Sequence, residues 1–228
     1  QASFVSQGEG GGKHALDLHW RINNLELWSR LFSYQELLGR ACAVPQLGAD
    51  ALAAGQVDAL LLACMHRATH ERAPYYCDGK AHYGGDRLIW LYDIHLLVGG
   101  LSPRDWDDVI GRAREKGLLA VCLGGLERAR ARFGTAVPEP VLAALRPQGK
   151  PEALATYLLS GALRQRWLEY SAIAGLGNKV GFLVDSVFPP ASYMAQKYSQ
   201  TQTRWLPWLY LRRVFGGMLR RAHMREDA

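Results

Sequence analysis

Between Asp58 and Leu97 the chain reads DALLLACMHRATH, a polar Gly-rich loop, then DRLIWLYDIHLL. These are two apolar segments of helical length, and each carries polar residues that a buried helix takes only with a partner. On a 3.6-residue wheel Leu60, Leu61, Cys64 and Ala68 form one stripe, and His66 and His70 fall opposite, beside Ala59 and Ala63. That second face is small and polar, suited to close approach of another backbone or to lining a site. The following segment turns Leu88, Ile89, Trp90, Leu91, Ile94, Leu96, Leu97 and Val98 in every direction, which predicts a central helix packed all round. Asp93 should then be buried and paired with Arg67, Arg87 or a histidine, because a bare buried carboxylate costs several kcal/mol.

A chain of 228 residues, 49% hydrophobic and 21% charged, can bury one sizeable core or two small ones. Its apolar runs fall short of the roughly 20 residues of a membrane span. Cys42, Cys64, Cys77 and Cys122 lack C-x-x-C spacing, and three fall in segments that read as helical and apolar. They are expected to be reduced packing residues of a cytoplasmic protein. The opening QASFVSQ has no initiator Met and no signal-peptide pattern, and reads as a cut through a longer protein. The net charge of +6 gathers at the other end, where Arg204, Arg212, Arg213, Arg220, Arg221 and Arg225 lie in a stretch without Asp or Glu. With Trp205, Trp208 and Tyr210 interleaved, that stretch suits an anionic membrane surface or nucleic acid, or else a packed terminal helix with solvated arginines.

In chain order, ASFVS (2 to 6) and HALDLHW (14 to 20) flank a Gly-rich turn and predict a β-hairpin. Two strands alone cannot bury a face, so more sheet is expected upstream of Gln1. Short helices are predicted over Glu26 to Arg30 and Tyr34 to Arg40, then a longer one over Val57 to Glu71. Ala73 to Gly85 reads as a loop. Ser102 is the expected N-cap, with Pro103 at the first position, of a helix running to about Lys116. Further helices are expected over Leu118 to Phe133, Pro138 to Leu145, Glu152 to Tyr170 and Ile173 to Val184, with Pro189 and Pro190 ending them. The fold class is mainly α, a bundle-like helical domain with a small N-terminal hairpin left from an α/β domain. The expected division is 1–22, 23–146 and 147–228.

The segments LDLHWRI (16 to 22), LLLACMHRATH (60 to 70), RLIWLYDIHLL (87 to 97), Asp105-Trp106 and FPPASYMAQKY with LPWLYLRR (188 to 213) resemble a family of bacterial proteins described as nucleotidyltransferases. The resemblance covers nearly the whole chain and implies the C-terminal part of a protein with the polymerase-beta-like nucleotidyltransferase fold. In that fold a Gly-Ser turn precedes an Asp-x-Asp pair on a strand, and a third carboxylate stands on a neighbouring strand. The implied cofactor is Mg²⁺, and the implied partners are a nucleoside triphosphate and an acceptor the sequence does not identify. Asp17, between Leu16 and Leu18, matches the third carboxylate, as catalytic residue and metal ligand.

Nucleotidyl transfer must neutralise a triphosphate and activate a hydroxyl, which two hard cations held by carboxylates accomplish. This chain lacks the Gly-Ser turn, and its one Asp-x-Asp spacing, Asp105/Asp107, falls at a helix start. The chain alone is therefore expected to be inactive. If Asp17 is catalytic, alternation along its strand sends Leu16 and Leu18 the other way, into the helical layer. The plainer reading of Asp17 is an edge-strand residue paired with His19 or Arg21. His66 and His70, at i and i+4, have the spacing of two metal ligands on a helix, although the Glu of the protease motif is missing. Hydrogen bonding across a helix interface is their plainer role, and no tight metal site is expected in this chain alone. Asp93 and His95 point about 200° apart on a helix and should not chelate together. The function expected from another class is a non-catalytic helical interaction module.

Overall fold

The computed structural model describes residues 2–7, 12–19, 21–23, 25–71, 75–77, 80–82, 85–189, 191, 194 and 207–210. The six C-terminal arginines, and with them the proposed anionic surface, lie outside the described residues. The described chain is mainly α-helical and forms two compact units, Gln1–Glu169 and Tyr170–Ala228. Among the described residues no helix is long and apolar enough to cross a membrane.

The first unit opens with the expected hairpin. Strand β1 (Ala2–Gln7) pairs antiparallel with β2 (Lys13–Leu18), setting Ser3 opposite Asp17 and Phe4 opposite Leu16. Short helices α1 (Glu26–Ser29) and α2 (Tyr34–Leu38) follow, then the two-residue strands β3 (Cys42–Ala43) and β4 (Leu52–Ala53). Helix α3 (Gln56–His70) leads to the paired strands β5 (Tyr75–Cys77) and β6 (Lys80–His82), and these to α4 (Leu88–Gly99). Helices α5 (Asp105–Lys116), α6 (Leu119–Phe133), α7 (Glu139–Ala144), α8 (Ala153–Leu159) and α9 (Ala162–Ala172) follow, and α10 (Leu176–Val187) lies in the second unit.

The core is the mutual packing of α3, α4 and α6, with α5 and α7 on its flank. Leu60, Leu61, Cys64 and Ala68 of α3 are buried, as the wheel predicts, and His66 and His70 are exposed opposite them. The three helices converge at Gly125 of α6, where an added Cβ would lie 2.9 Å from Cys64 Sγ and 3.2 Å from Ile94 Cδ1. Helix α6 begins at Leu118, a residue with no capping side chain. Its first N–H groups are instead taken by Glu152, whose two carboxylate oxygens accept from Leu119 and Ala120 at 2.8 and 2.9 Å. Glu169 does the same for α1, accepting from the Glu26 amide at 2.9 Å. Burial raises the Glu169 carboxyl above its ordinary value, and the backbone donors only partly offset it.

Several expectations are corrected. Helix α4 is not packed all round: Leu91, Ile94 and Val98 are buried, but Leu88, Ile89 and Leu96 are 61%, 53% and 55% exposed, and Asp93 is exposed with them. Its neighbours α3 and α6 cover one side only, and apolar residues on the other side leave no polar group unpaired. The buried ion pairing anticipated for Asp93 occurs at Arg67, which bonds Asp86 at 2.6 Å and Glu71 at 3.1 Å, with Arg128 bridging the same two carboxylates. The stretch read as a loop, 73 to 85, contains the β5/β6 pair. Ser102 does not cap α5; its N–H donates to Asp105 Oδ2 at 2.6 Å, because the acidic residue competes for the turn and the helix starts three residues later. The helix expected over 152 to 170 breaks at Ser160 and Gly161. Leu16 and Leu18 do not enter the helical layer and are 65% and 55% exposed, since no element packs on the two-stranded ribbon closely enough to cover them. Cys42 is exposed on β3, whereas Cys64 and Cys122 are buried free thiols; the hydrogen bond between Cys122 and Cys64, then burial, raises the Cys122 thiol well above its ordinary value.

A second ion cluster joins α2, α3 and α5. Asp58, 1% exposed, bonds Arg112 at 2.6 Å and Arg40 at 2.9 Å, and Glu36 meets Lys116, Arg112 and Arg40 at 2.8, 3.0 and 3.2 Å. Burial alone would raise the Glu36 carboxyl, but Lys116 and the two arginines outweigh it and bring it from 4.5 down to about 2. In the second unit Lys179 lies over the Tyr170 ring at 5.2 Å and the Tyr210 hydroxyl donates to the Pro189 carbonyl at 2.8 Å.

Asp58→Ala removes two charge-assisted hydrogen bonds and leaves Arg112 and Arg40 to share Glu36, and should destabilise the fold by about 3 kcal/mol, measured by urea unfolding. Because the Glu36 carboxyl is lowered in the folded chain, its contribution is complete above pH 4.5 and is lost as pH falls toward 2. Glu36→Gln should therefore flatten the acid limb of the stability profile.

Candidate functional site

The face of α3 turned away from the core builds one wall of a cavity. His66 and His70 lie one turn apart with ring centroids at 4.5 Å, and Trp90 of α4 stands against both, its centroid 5.8 Å from each. It meets His66 edge-on at 83° and His70 at 36°. The Arg87 guanidinium lies 5.6 Å from the Trp90 centroid. The latch between Arg67 and Asp86 sits immediately beside these residues in sequence, so it fixes the start of α4 against α3 and with it the position of Trp90.

The cavity has a volume of about 580 Å³. Ile22, Leu25, Leu62 and Met65 give it an apolar floor, and His19, Asn23, His66, Thr69 and His70 a polar rim. The Thr69 hydroxyl donates to the Met65 carbonyl at 2.9 Å, which leaves its oxygen as an acceptor. The Asn23 side-chain oxygen accepts from the Leu25 amide at 2.9 Å, leaving the carboxamide NH₂ as donor. Burial lowers the His66 pKa, and the charges of His70 and Arg87 lower it further against an opposing pull from Asp93. Exposed Asp93 therefore acts on the site at a distance.

Asp17 stands on β2, two residues before His19, so the cavity opens at the end of the strand that carries it. Arg21, weighed above as its partner, bonds Glu26 at 3.1 Å. The structure brings His66 and His70 together, and among the described residues no group of three His, Cys, Asp or Glu could hold a metal ion. The side chain of Asp17 lies outside the described residues; a carboxylate is the donor type that Mg²⁺, a hard cation, takes, and the imidazoles lining the cavity are not. Asp93 and His95 diverge as expected: His95 Nδ1 pairs with the Thr135 hydroxyl at 3.0 Å, and its ring stacks on Tyr92. A second cavity, about 510 Å³, is lined by Asp86, Arg128 and Arg132 among others, and there Asp86 and Arg128 neutralise each other.

Asn23, Met65, Thr69 and Trp90 are absent from the site as read from the sequence, and His19 was weighed there only as a partner for Asp17. The one signal for His19 was its place in LDLHW, two residues after the candidate carboxylate.

Residues 4–134 match the model of a family described as Uncharacterised nucleotidyltransferase. The match takes in β2 and every residue lining the 580 Å³ cavity and covers more than half of the chain, which therefore belongs to this nucleotidyltransferase family. No curated protein and no solved structure matches it.

The His66 resonance should titrate below the ordinary imidazole value in an NMR pH series. Asp93→Asn should lower it further, since a supporting negative charge is lost, and His70→Ala should raise it, since a like charge is lost.

Proposed function

We propose that this chain supplies the third carboxylate and the helical wall of a metal-dependent nucleotidyl-transfer site. The observation that carries the reading is the opening of the cavity two residues beyond Asp17, inside the span that matches the family. In such a transfer an acceptor hydroxyl attacks the α-phosphorus of a nucleoside triphosphate, and the bond to the leaving pyrophosphate breaks. Mg²⁺, when bound, supplies neutralisation of the phosphates and a more acidic hydroxyl. The part of Asp17 is to hold one coordination position from β2, with the Asp-x-Asp pair supplied from outside the described residues. The ribbon supports this: Phe4, Val5, Leu16 and Leu18 are all exposed, a condition that further strands would relieve. In this reading residues 1–22 join the catalytic sheet, 23–146 form the wall and 147–228 carry the basic end, in a cytoplasmic enzyme.

A non-catalytic interaction module is favoured by one observation, that the only Asp-x-Asp spacing, Asp105/Asp107, sits in the first turn of α5. The two readings separate in a pyrophosphate-release assay. The 228-residue chain should transfer no nucleotide. Expressed together with whatever its gene encodes ahead of Gln1, it should do so with Mg²⁺, and Asp17→Asn should reduce the rate by on the order of 100-fold or more. Undiminished activity in that variant would remove Asp17 from the site. An extended protein without an Asp-x-Asp strand and without activity would leave the interaction module.

A further inference from the structure

We propose that the 580 Å³ cavity between the end of β2 and α3 seats the uncharged part of the nucleotide, its base and ribose, with His66 and His70 as the rim against the ring. This rests on the nucleotidyl-transfer reading and goes further by assigning the substrate group to a place.

The lining chemistry selects among the parts of a nucleotidyl-transfer reaction. The described lining residues include no Lys, Arg, Asp or Glu, and the charges of Arg87 and Asp93 oppose each other at His66, so the lining suits an uncharged group better than a triphosphate or a cationic acceptor. An uncharged group remains, with one apolar face and a polar edge. The floor of Ile22, Leu25, Leu62 and Met65 offers the apolar face, and the Met65 thioether favours an aromatic ring. Asn23, as donor, and Thr69, as acceptor, stand on the rim where the edge of a heteroaromatic base presents both kinds of group. The cavity lies within the range of small-molecule sites, about 300 to 1,000 Å³.

The imidazole pair is held for such a contact. Trp90 packs on both rings, and the Arg67 to Asp86 bond of 2.6 Å anchors the helix start from which Trp90 projects, so little side-chain freedom is lost when a ring docks. Distance agrees as well. His19 follows Asp17 by two residues, about 6.6 Å along an extended chain, so a base held on this rim lies within a nucleotide's reach of the strand that carries Asp17.

The test uses the 228-residue chain without metal and nucleosides without phosphate, so that Asp17 and Mg²⁺ play no part. Adenosine, guanosine, cytidine and uridine are titrated separately while the histidine ring resonances and tryptophan fluorescence are followed. At least one should bind saturably, shifting His66 and His70. His70→Ala, at an exposed position, should weaken that binding by about ten-fold or more, and Thr69→Trp, which fills the cavity, should abolish it, with melting temperatures close to that of the parent chain. Asp17→Asn should bind the nucleoside as the parent does. Binding of none of the four nucleosides would overturn the proposal, as would saturable binding of glucose in their place, which would make the cavity an acceptor site. Intact nucleoside binding in an extended protein that transfers nothing would reject the catalytic reading and keep this one. Active transfer with no nucleoside effect on the histidines would do the reverse.

Discussion

The structure depends on how closely α6 can approach α3 and α4. At Gly125 an ordinary side chain would have to share space with the Cys64 thiol and the Ile94 methyl, so glycine is what lets three helices meet at one point. The close junction takes up the large apolar stripe of α3 on one side. It leaves the opposite face, with its two histidines, free to line a cavity. Core and site are thus two faces of a single helix, and the packing of the first holds the second in place.

Charge organises what the apolar core does not reach. Arg67 is nearly as buried as the leucines of its helix, and it is tolerated because Asp86 and Glu71 both lie within bonding distance. Asp58 holds α3 to α5 and to Arg40, just past the end of α2, in the same manner. Such clusters add little net stability compared with well-packed hydrocarbon, but they admit few alternative alignments. One of them sets where α4 begins and hence where Trp90 stands against the imidazoles.

What could be read in advance followed from periodicity within one element. The α3 stripe, the hairpin and most helices on either side were legible because 3.6- and 2-residue repeats are local properties. The family was legible in LDLHWRI and RLIWLYDIHLL. Partners distant in sequence were not: nothing in the order of residues joins Asp58 to Arg112, Glu152 to the start of α6, or His19 to His70. Helix α4 shows the limit most clearly. Its hydrophobicity in every direction predicts burial in every direction, yet neighbours are supplied by topology, and only one side receives them. Asp93, assigned a buried partner on that reasoning, needed none.

The β1/β2 ribbon has a practical consequence. Among the described residues each strand has a single partner, so both outer rows of backbone N–H and C=O groups are open, and apolar side chains stand above and below them. This is a template for intermolecular cross-strand pairing. In a chain held at high concentration that ribbon offers copies of the molecule a pairing edge made by a dozen residues, whose use would not require the helical core to open.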